Sequence, residues 1–436
     1  MSPAELSVIF FLQMAVLIAV ARVVGWCARR FLGQPQVVGE MIAGVLLGPS
    51  LFGALAPSPQ AWLFPAESRG VLFVVAQWGV GLYMFLVGLG FDVRHFRANL
   101  PSAAAVSLSG IAAPFLVAVL LTPWLLATPG LFVAGVSLPQ ATLFTGACIA
   151  ITAFPMLARI IHERGLGHSP LGTLALSAGA MDDAGAWTVL AIVLASLGAG
   201  IGLAVKTIVG GLLFVLFMVT VGGRILAPLG RRVERVGSIE QGVLAIVLGA
   251  FMFAAFAMDA LGLHAVFGGF VLGTAMPRGR LVSELTRVLE PLTVVALLPV
   301  FFCYSGLNTS LRLVMDPTLS LIALVILGAS ILAKGGACWA AARLTGQDNA
   351  TALGIGALMN ARGLMELIII NIGLQRGIIQ TPLFSILVLM AVATTLMASP
   401  LFEWVYGREA RTRGALGALS SGARRAPQAD AVKDGA

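Results

Sequence analysis

LALSAGAMDDAGAW, residues 174–187, places two adjacent carboxylates, Asp182 and Asp183, near the middle of an apolar run over 170–197, flanked by Gly179 and Gly185. Whether that run is a soluble core or a bilayer span is decided by its surroundings. Of 436 residues, 59% are hydrophobic and 11% charged, against about 25% charged in a globular domain. The apolar residues come in runs of about 20 and are not confined to one helical face, so lipid is the main solvent. The chain reads as an all-α polytopic membrane protein. Its 27 Lys and Arg against 19 Asp and Glu then belong to cytoplasmic loops, not to nucleic-acid binding. Cys27, Cys148, Cys303 and Cys338 lie in or beside apolar runs without ligand spacing, so neither disulfides nor a zinc site is expected.

Runs broken by charge, Pro or Gly predict thirteen spans, near 5–26, 36–53, 70–90, 100–121, 141–162, 170–197, 200–223, 238–258, 262–277, 290–308, 317–341, 352–374 and 381–404. The first lacks a basic leader and a cleavage site and reads as retained. Odd-numbered connections hold Arg29 and Arg30; Arg94 and Arg97; Arg164; Arg224, Arg231, Arg232 and Arg235; Arg278, Arg280 and Arg287; and Arg343. Even-numbered ones hold Arg69, Arg312 and Arg376. That asymmetry puts the N-terminus outside and the C-terminus in the cytoplasm, which requires an odd number of crossings of the cell's inner membrane. Residues 408–436, rich in Ala, Gly, Ser and Arg, are expected to form a disordered cytoplasmic tail. No phosphate-cradling glycine loop followed by Lys-Ser or Lys-Thr occurs, which argues against an ATP-driven pump.

A charge at mid-membrane costs at least about 2.5 kcal/mol, so each one needs a partner or a purpose. Successive helical positions diverge by about 100°, so Asp182 and Asp183 cannot both face one partner; one can meet a cation while the other faces a cavity. Lys334 is the only one of three lysines deep in a span, and lysine, unlike arginine, can lose its proton when buried. A static Asp–Lys pair is the plainer alternative, but it leaves the second Asp unpaired. In ITAFPMLAR, residues 151–159, Pro155 removes a helical donor and frees carbonyls near Thr152, so the helix should break. In LMNARGLMEL, residues 358–367, Asn360, Arg362 and Gly363 should break another. Spans five and twelve are seven apart and run in opposite directions, which makes spans four to six and eleven to thirteen an inverted repeat with a midplane site. Arg362 would then neutralise the negative ends of half-helices while Glu366 balances a positive end or pairs with Arg362; a simple i,i+4 ion pair is the plainer reading. Glu40, in a glycine-rich stretch from Gln36 to Gly53, reads as structural, and His95, His162, His168 and His264 read as residues at span ends.

QVVGEMIAGVLLGPSLFG (36–53), LYMFLVGLGFDVR (82–94), ITAFPMLARIIHERGL (151–166), LALSAGAMDDAGAW (174–187), PVFFCYSGLNTSL (299–311) and MNARGLMELIIINIGL (359–374) together resemble the monovalent cation:proton antiporter family. The likeness runs from Gln36 to Trp404 and is nearest to the branch of plant and fungal exchangers and their bacterial relatives. It implies thirteen helices with two discontinuous crossing helices, and a homodimer working by an elevator-like movement. The transmembrane domain, 1–407, would divide into core helices at about 100–197 and 317–404 and dimerisation or scaffold helices at about 1–90 and 200–308. Asp183 resembles the essential ion-binding carboxylate, Asp182 the position that pairs with the lysine matching Lys334, and Thr152 the polar residue at the first crossing. Potassium-efflux members often carry a nucleotide-binding tail; its absence here puts such gating in doubt.

The expected activity is exchange of Na⁺ or K⁺ for protons, with no cofactor and no enzymatic step. A carboxylate out of water holds a proton more readily, so proton and dehydrated cation would compete for Asp183. Lys334 would pair with Asp182 in the cation-free state and be released when cation binds, allowing two protons per ion. An ion-coupled symporter or channel is the alternative. An intramembrane aspartyl protease is disfavoured because adjacent carboxylates diverge and no second helix supplies a partner Asp.

Overall fold

The computed structural model describes residues 2–32, 36–91, 100–167, 169–194, 201–307, 317–362 and 364–412. Arg94, Arg97, His95, His168, Arg312, Gly363 and the tail from 413 lie outside the described residues. The helices are α1 (Pro3–Leu32), α2 (Gln36–Leu47), two short turns α3 (Phe52–Leu55) and α4 (Pro57–Leu63), α5 (Ala66–Gly90), α6 (Leu100–Ala127), α7 (Leu138–Ala150), α8 (Phe154–Glu163), α9 (Pro170–Leu194) and α10 (Ile201–Phe217). They continue with α11 (Gly223–Val236), α12 (Gln241–Ala260), α13 (Ala265–Ala275), α14 (Arg280–Leu292), α15 (Leu298–Leu307), α16 (Pro317–Leu344), α17 (Asn349–Leu358), α18 (Leu364–Gln375) and α19 (Thr381–Thr412). Ten helices among the described residues are long and apolar enough to cross a membrane. Their burial is uneven. In an 18-residue apolar stretch of Leu138–Glu163, 89% of the residues are buried inside the protein, against 22% in the corresponding stretch of Val205–Val236.

Several arginines expected in loops stand instead on helices. Arg29 and Arg30 are in the last turn of α1, Arg224, Arg231, Arg232 and Arg235 on α11, Arg280 and Arg287 on α14, and Arg343 in the last turn of α16. Hydropathy marks where the apolar segment ends. The helix itself ends where a cap ends it, and arginine is a good helix former. Thus α10 passes through a π turn at Met218–Gly222 into α11, which stops only at Gly237 with φ 85°. The last helix likewise continues to Thr412, past the expected start of the tail at Arg408. A second π turn, Thr293–Leu297, follows Pro291, which has no N–H to give the helical ladder.

Among the described residues, the runs at 141–162 and 352–374 are each interrupted near their middle by a stretch without helix. Residues 151–153 separate α7 from α8, where Pro155 occupies the first turn of the new helix, a position that needs no N–H donor. Met359–Arg362 follows α17 and precedes α18. The far ends of these pairs are tied as well: Val133 N donates to Ile378 O at 3.0 Å and Gln380 N to Leu131 O at 2.8 Å, forming an isolated antiparallel bridge.

Helices α5 and α13 pack backbone to backbone. A Cβ at Gly88 would stand 2.3 Å from Phe270 O, and one at Gly273 would stand 2.3 Å from Phe85 O. Neither backbone can yield locally, so Gly273→Ala is expected to cost about 1–3 kcal/mol and to lower the thermal midpoint in detergent. Gly249→Ala on α12, with nothing within 4 Å, should leave it unchanged. Equal midpoints for the two variants would contradict this packing.

Candidate functional site

The breaks meet each other. Ala153 N donates to Ala361 O at 2.9 Å, and Thr152 Oγ1 donates to Met359 O at 2.9 Å. Backbone polar groups freed by each interruption are therefore partly satisfied by the other, as lipid-surrounded irregular backbone requires. Four helix ends converge here, each with a partial charge: the C-terminal ends of α7 and α17 are negative, and the N-terminal ends of α8 and α18 are positive.

Ionisable side chains answer three of those ends. Arg362, with no solvent exposure, donates through Nη1 to Cys148 O at 2.6 Å and through Nη2 to Ile149 O at 2.6 Å, closing the last turn of α7. Its Nη1 also pairs with Glu366 Oε1 at 3.0 Å, so the i,i+4 ion pair and the helix-end contact are both present. Glu366 itself lies in the first turn of α18, at the positive end of that half-helix. Lys334 reaches the same negative end from α16: its Nζ donates to Ala150 O, to Gly110 O at 3.2 Å and to Asp182 Oδ2 at 3.0 Å. At the positive start of α8, Asp182 Oδ2 accepts from Thr152 N at 3.1 Å. Asp182 thus bridges Lys334 and the backbone of the first break.

Asp183 points elsewhere. It is 1% exposed, and neither carboxylate oxygen has a hydrogen-bond partner among the described residues. The divergence of consecutive helical positions accounts for the difference between the two aspartates. Gly179 and Gly185 bring neighbours close to this part of α9, since added Cβ atoms would stand 2.6 Å from Leu157 and 2.8 Å from Ile111. Asn360 donates to Gly356 O at 2.9 Å and packs on Gly335 of the Lys334 helix. The crossing therefore gathers Thr152, Asp182, Asp183, Lys334, Asn360, Arg362 and Glu366.

Glu40 is not part of that group. It is fully buried, accepts from Gln36 Nε2 at 3.1 Å, and its backbone carbonyl receives Cys303 Sγ at 3.3 Å. Gln36 N in turn donates to Glu163 Oε2 at 2.5 Å, and Glu163 pairs with buried Arg159 at 2.6 Å. This α2–α8 cluster was missed from the sequence, although Arg159 and Glu163 one turn apart after Pro155 carried a signal for it. Thr395 was missed too. Its Oγ1 donates to Arg362 O at 2.7 Å and accepts from Arg362 N at 3.2 Å, supporting the second break from α19. His264 accepts from Val266 N at 3.3 Å as the N-cap of α13. His162 faces Glu290 of α14 at 3.3 Å.

Comparison with known proteins gives the same direction from an independent side. The "Na(+)/H(+) antiporter NhaS4" of Synechocystis sp. is 37% identical over 90% of this chain and 95% of its own length. The "K(+)/H(+) antiporter 1" of Saccharomyces cerevisiae is 30% identical over 86% of this chain and 44% of that longer protein, and a solved structure of the sodium proton antiporter MjNhaP1 from Methanocaldococcus jannaschii matches in fold with a TM-score of 0.61, covering 96% of this chain and 100% of that one at 14% identity. The family model described as "Sodium/hydrogen exchanger, transmembrane" matches residues 17–406, and the chain belongs to that family.

Proposed function

We propose that the protein is a secondary antiporter that exchanges a monovalent cation, Na⁺ or K⁺, for protons by alternating access, with cation and proton competing for Asp183. The observation that carries this reading is a buried carboxylate with no hydrogen-bond partner among the described residues, beside one already neutralised by Lys334. A free carboxylate in an apolar setting accepts either a proton or a dehydrated cation, and holding one excludes the other. That exclusion couples the two gradients. The other buried charges at the crossing are paired without Asp183, Asp182 with Lys334 and Glu366 with Arg362, which leaves Asp183 as the carboxylate open to a load. Relatives named for Na⁺ and for K⁺ fit a site whose residues do not select between them. Exchange makes and breaks no covalent bond, so the protein acts as a transporter without a cofactor.

The thirteen-crossing arrangement draws support from three segments beyond the ten long apolar helices: Pro170–Leu194, Ala265–Ala275, and the broken pair α17 and α18. The breaks in α7–α8 and α17–α18 support an inverted repeat. On this reading, the helices of 100–197 and 317–404 form a core carrying Asp183, and those of 1–90 and 200–308 form the scaffold of a homodimer in the inner membrane. The N-terminus lies outside and the C-terminus in the cytoplasm.

The test is proton flux in proteoliposomes loaded with a pH dye. Adding external Na⁺ or K⁺ to vesicles with an acid interior should alkalinise that interior within seconds to minutes, with no organic cosubstrate. Alkalinisation that requires an organic cosubstrate would establish the symporter alternative instead.

A further inference from the structure

The helix that runs from α10 through the π turn into α11 changes its surface chemistry along its length. Its Val205–Val236 stretch of 32 residues is about 48 Å long at 1.5 Å per residue, against about 30 Å for the hydrocarbon of a bilayer and 40–45 Å with the headgroups. Leu212, Leu216, Val219 and Ile225 are each more than half exposed, a surface suited to acyl chains. With Val205 at one edge of the hydrocarbon, Arg224 comes about 29 Å further on, at the other edge, and Arg231 and Arg235 follow about 10 and 16 Å beyond it. Cβ atoms tilt toward the helix N-terminus, so these long side chains lean back toward the bilayer, into headgroup range.

Arg224, Arg231 and Arg235 share one face. Their spacing of seven and four residues places them within about 40° of one another around α11. Leu226, Gly230 and Val233 are buried on the opposite face, and an added Cβ at Gly230 would stand 2.7 Å from Pro277, just before α14. Arg280 N, at the start of α14, donates to Glu234 Oε1 at 2.7 Å, which ties the two helices a second time. The stripe is therefore carried on a fixed support. All three arginines are exposed, and none has a hydrogen bond or ion pair among the described residues. Their neighbours are engaged: Arg232 with Glu240 at 2.5 Å, Arg287 with Glu284 at 2.8 Å, and Arg278 with the carbonyls of Leu89 and Phe91. Together α11 and α14 hold six arginines against three glutamates, so three positive charges go unmatched by these two helices.

We propose that the stripe of Arg224, Arg231 and Arg235 is a docking surface for acidic phospholipids, taking the phosphates of headgroups such as phosphatidylglycerol while the exposed apolar residues of the same helix take the acyl chains. Charge complementarity selects this occupant. A planar guanidinium meets a phosphate through two parallel hydrogen bonds, which the partly desolvated interface strengthens. A zwitterionic headgroup offers a phosphate too, but its own cation cancels the net attraction. A nucleic acid or an acidic protein needs a stripe that stands clear of the bilayer, whereas this one begins at the hydrocarbon edge. Free inorganic phosphate lacks the chains that the apolar residues receive. The surface is separate from the helix crossing and does not depend on the antiport reading.

The experiment follows the thermal midpoint of the full chain in a neutral detergent as phosphatidylglycerol, phosphatidylcholine or inorganic phosphate is added. Phosphatidylglycerol should give a saturable rise that the other two do not, and the rise should shrink as salt goes from about 0.05 to 0.5 M. One arginine near a membrane surface is worth roughly fivefold in affinity, so Arg231→Gln should raise the half-saturating phosphatidylglycerol about fivefold. Replacing Arg224, Arg231 and Arg235 together by Gln should remove most of the response while the lipid-free midpoint stays at the wild-type value, since all three side chains are exposed and unpaired. Replacing the three by Lys should keep part of it, because the charge remains and the two-pronged geometry is lost. Arg287→Gln, which breaks an internal pair, should keep the wild-type half-saturation. A triple Gln protein with the wild-type response, or an equal rise with phosphatidylcholine, overturns the proposal. Should the triple Gln protein be unstable without lipid, wild-type half-saturation in both Arg231→Gln and the triple Lys protein overturns it equally.

Discussion

Asp183→Asn is expected to reduce cation-dependent proton flux to the level of empty liposomes while leaving the protein folded, with an unchanged or higher thermal midpoint in detergent. The two halves of this expectation have different causes. The amide has nearly the shape of the carboxyl but can neither release a proton nor supply a charge to a dehydrated cation, so both loads lose their site together. Stability survives because Asp183 has no hydrogen-bond partner among the described residues that the substitution would strand. Removing an uncompensated buried charge relieves a desolvation cost. Asp182→Asn is the instructive neighbour. That change strips Lys334 of its carboxylate but leaves it the carbonyls of Gly110 and Ala150, so a stability loss is expected there. Retained flux in Asp183→Asn would move the carrier to another group and undo the competition scheme.

The membrane fold was legible because apolar length is written into composition, and the helix breaks because Pro155 and the Asn360–Arg362 run are locally incompatible with an uninterrupted span. Helix ends were less so. The helix ending at Val236 outlasts its apolar segment, since the Gly237 cap, and not the water boundary, ends its hydrogen-bond ladder, and the last helix likewise runs past its apolar segment to Thr412. Pairing of Asp182 with Lys334 followed from charge accounting in lipid, whereas the carbonyl partners of Lys334 and Arg362 depend on how two half-helices cross. The Glu40 cluster escaped because a buried Glu at the start of a glycine-rich span has no periodicity that names its partner. Arg159 and Glu163, which complete that cluster, sit more than a hundred residues away, and only the packing of α2 on α8 brings them together.

Lys334→Ala carries the second large effect, and here stability is the first readout. Nζ makes three contacts to fully buried groups, and its loss leaves Asp182 Oδ2 with Thr152 N as its remaining bond among the described residues. Removing one member of a buried ion pair costs about 3–5 kcal/mol, since the other charge stays desolvated. A clear fall in thermal midpoint and a displaced pH profile of exchange are therefore expected. Pairing Lys334→Ala with Asp182→Asn should restore part of the loss, because no orphaned charge then remains. Neither result separates a static pair from a titrating one, and Lys334→Arg does. Arginine keeps the charge but does not give up its proton. If Lys334 releases a proton when cation binds, exchange moves two protons per ion and an imposed membrane voltage drives it. Lys334→Arg should then lose that voltage response while any remaining flux becomes electroneutral. A voltage response surviving in Lys334→Arg would assign the second proton elsewhere, and wild-type exchange indifferent to voltage would leave Lys334 as a fixed counter-charge holding α16 to the end of α7. An unchanged midpoint together with an unchanged pH profile in Lys334→Ala would contradict the pairing with Asp182 itself.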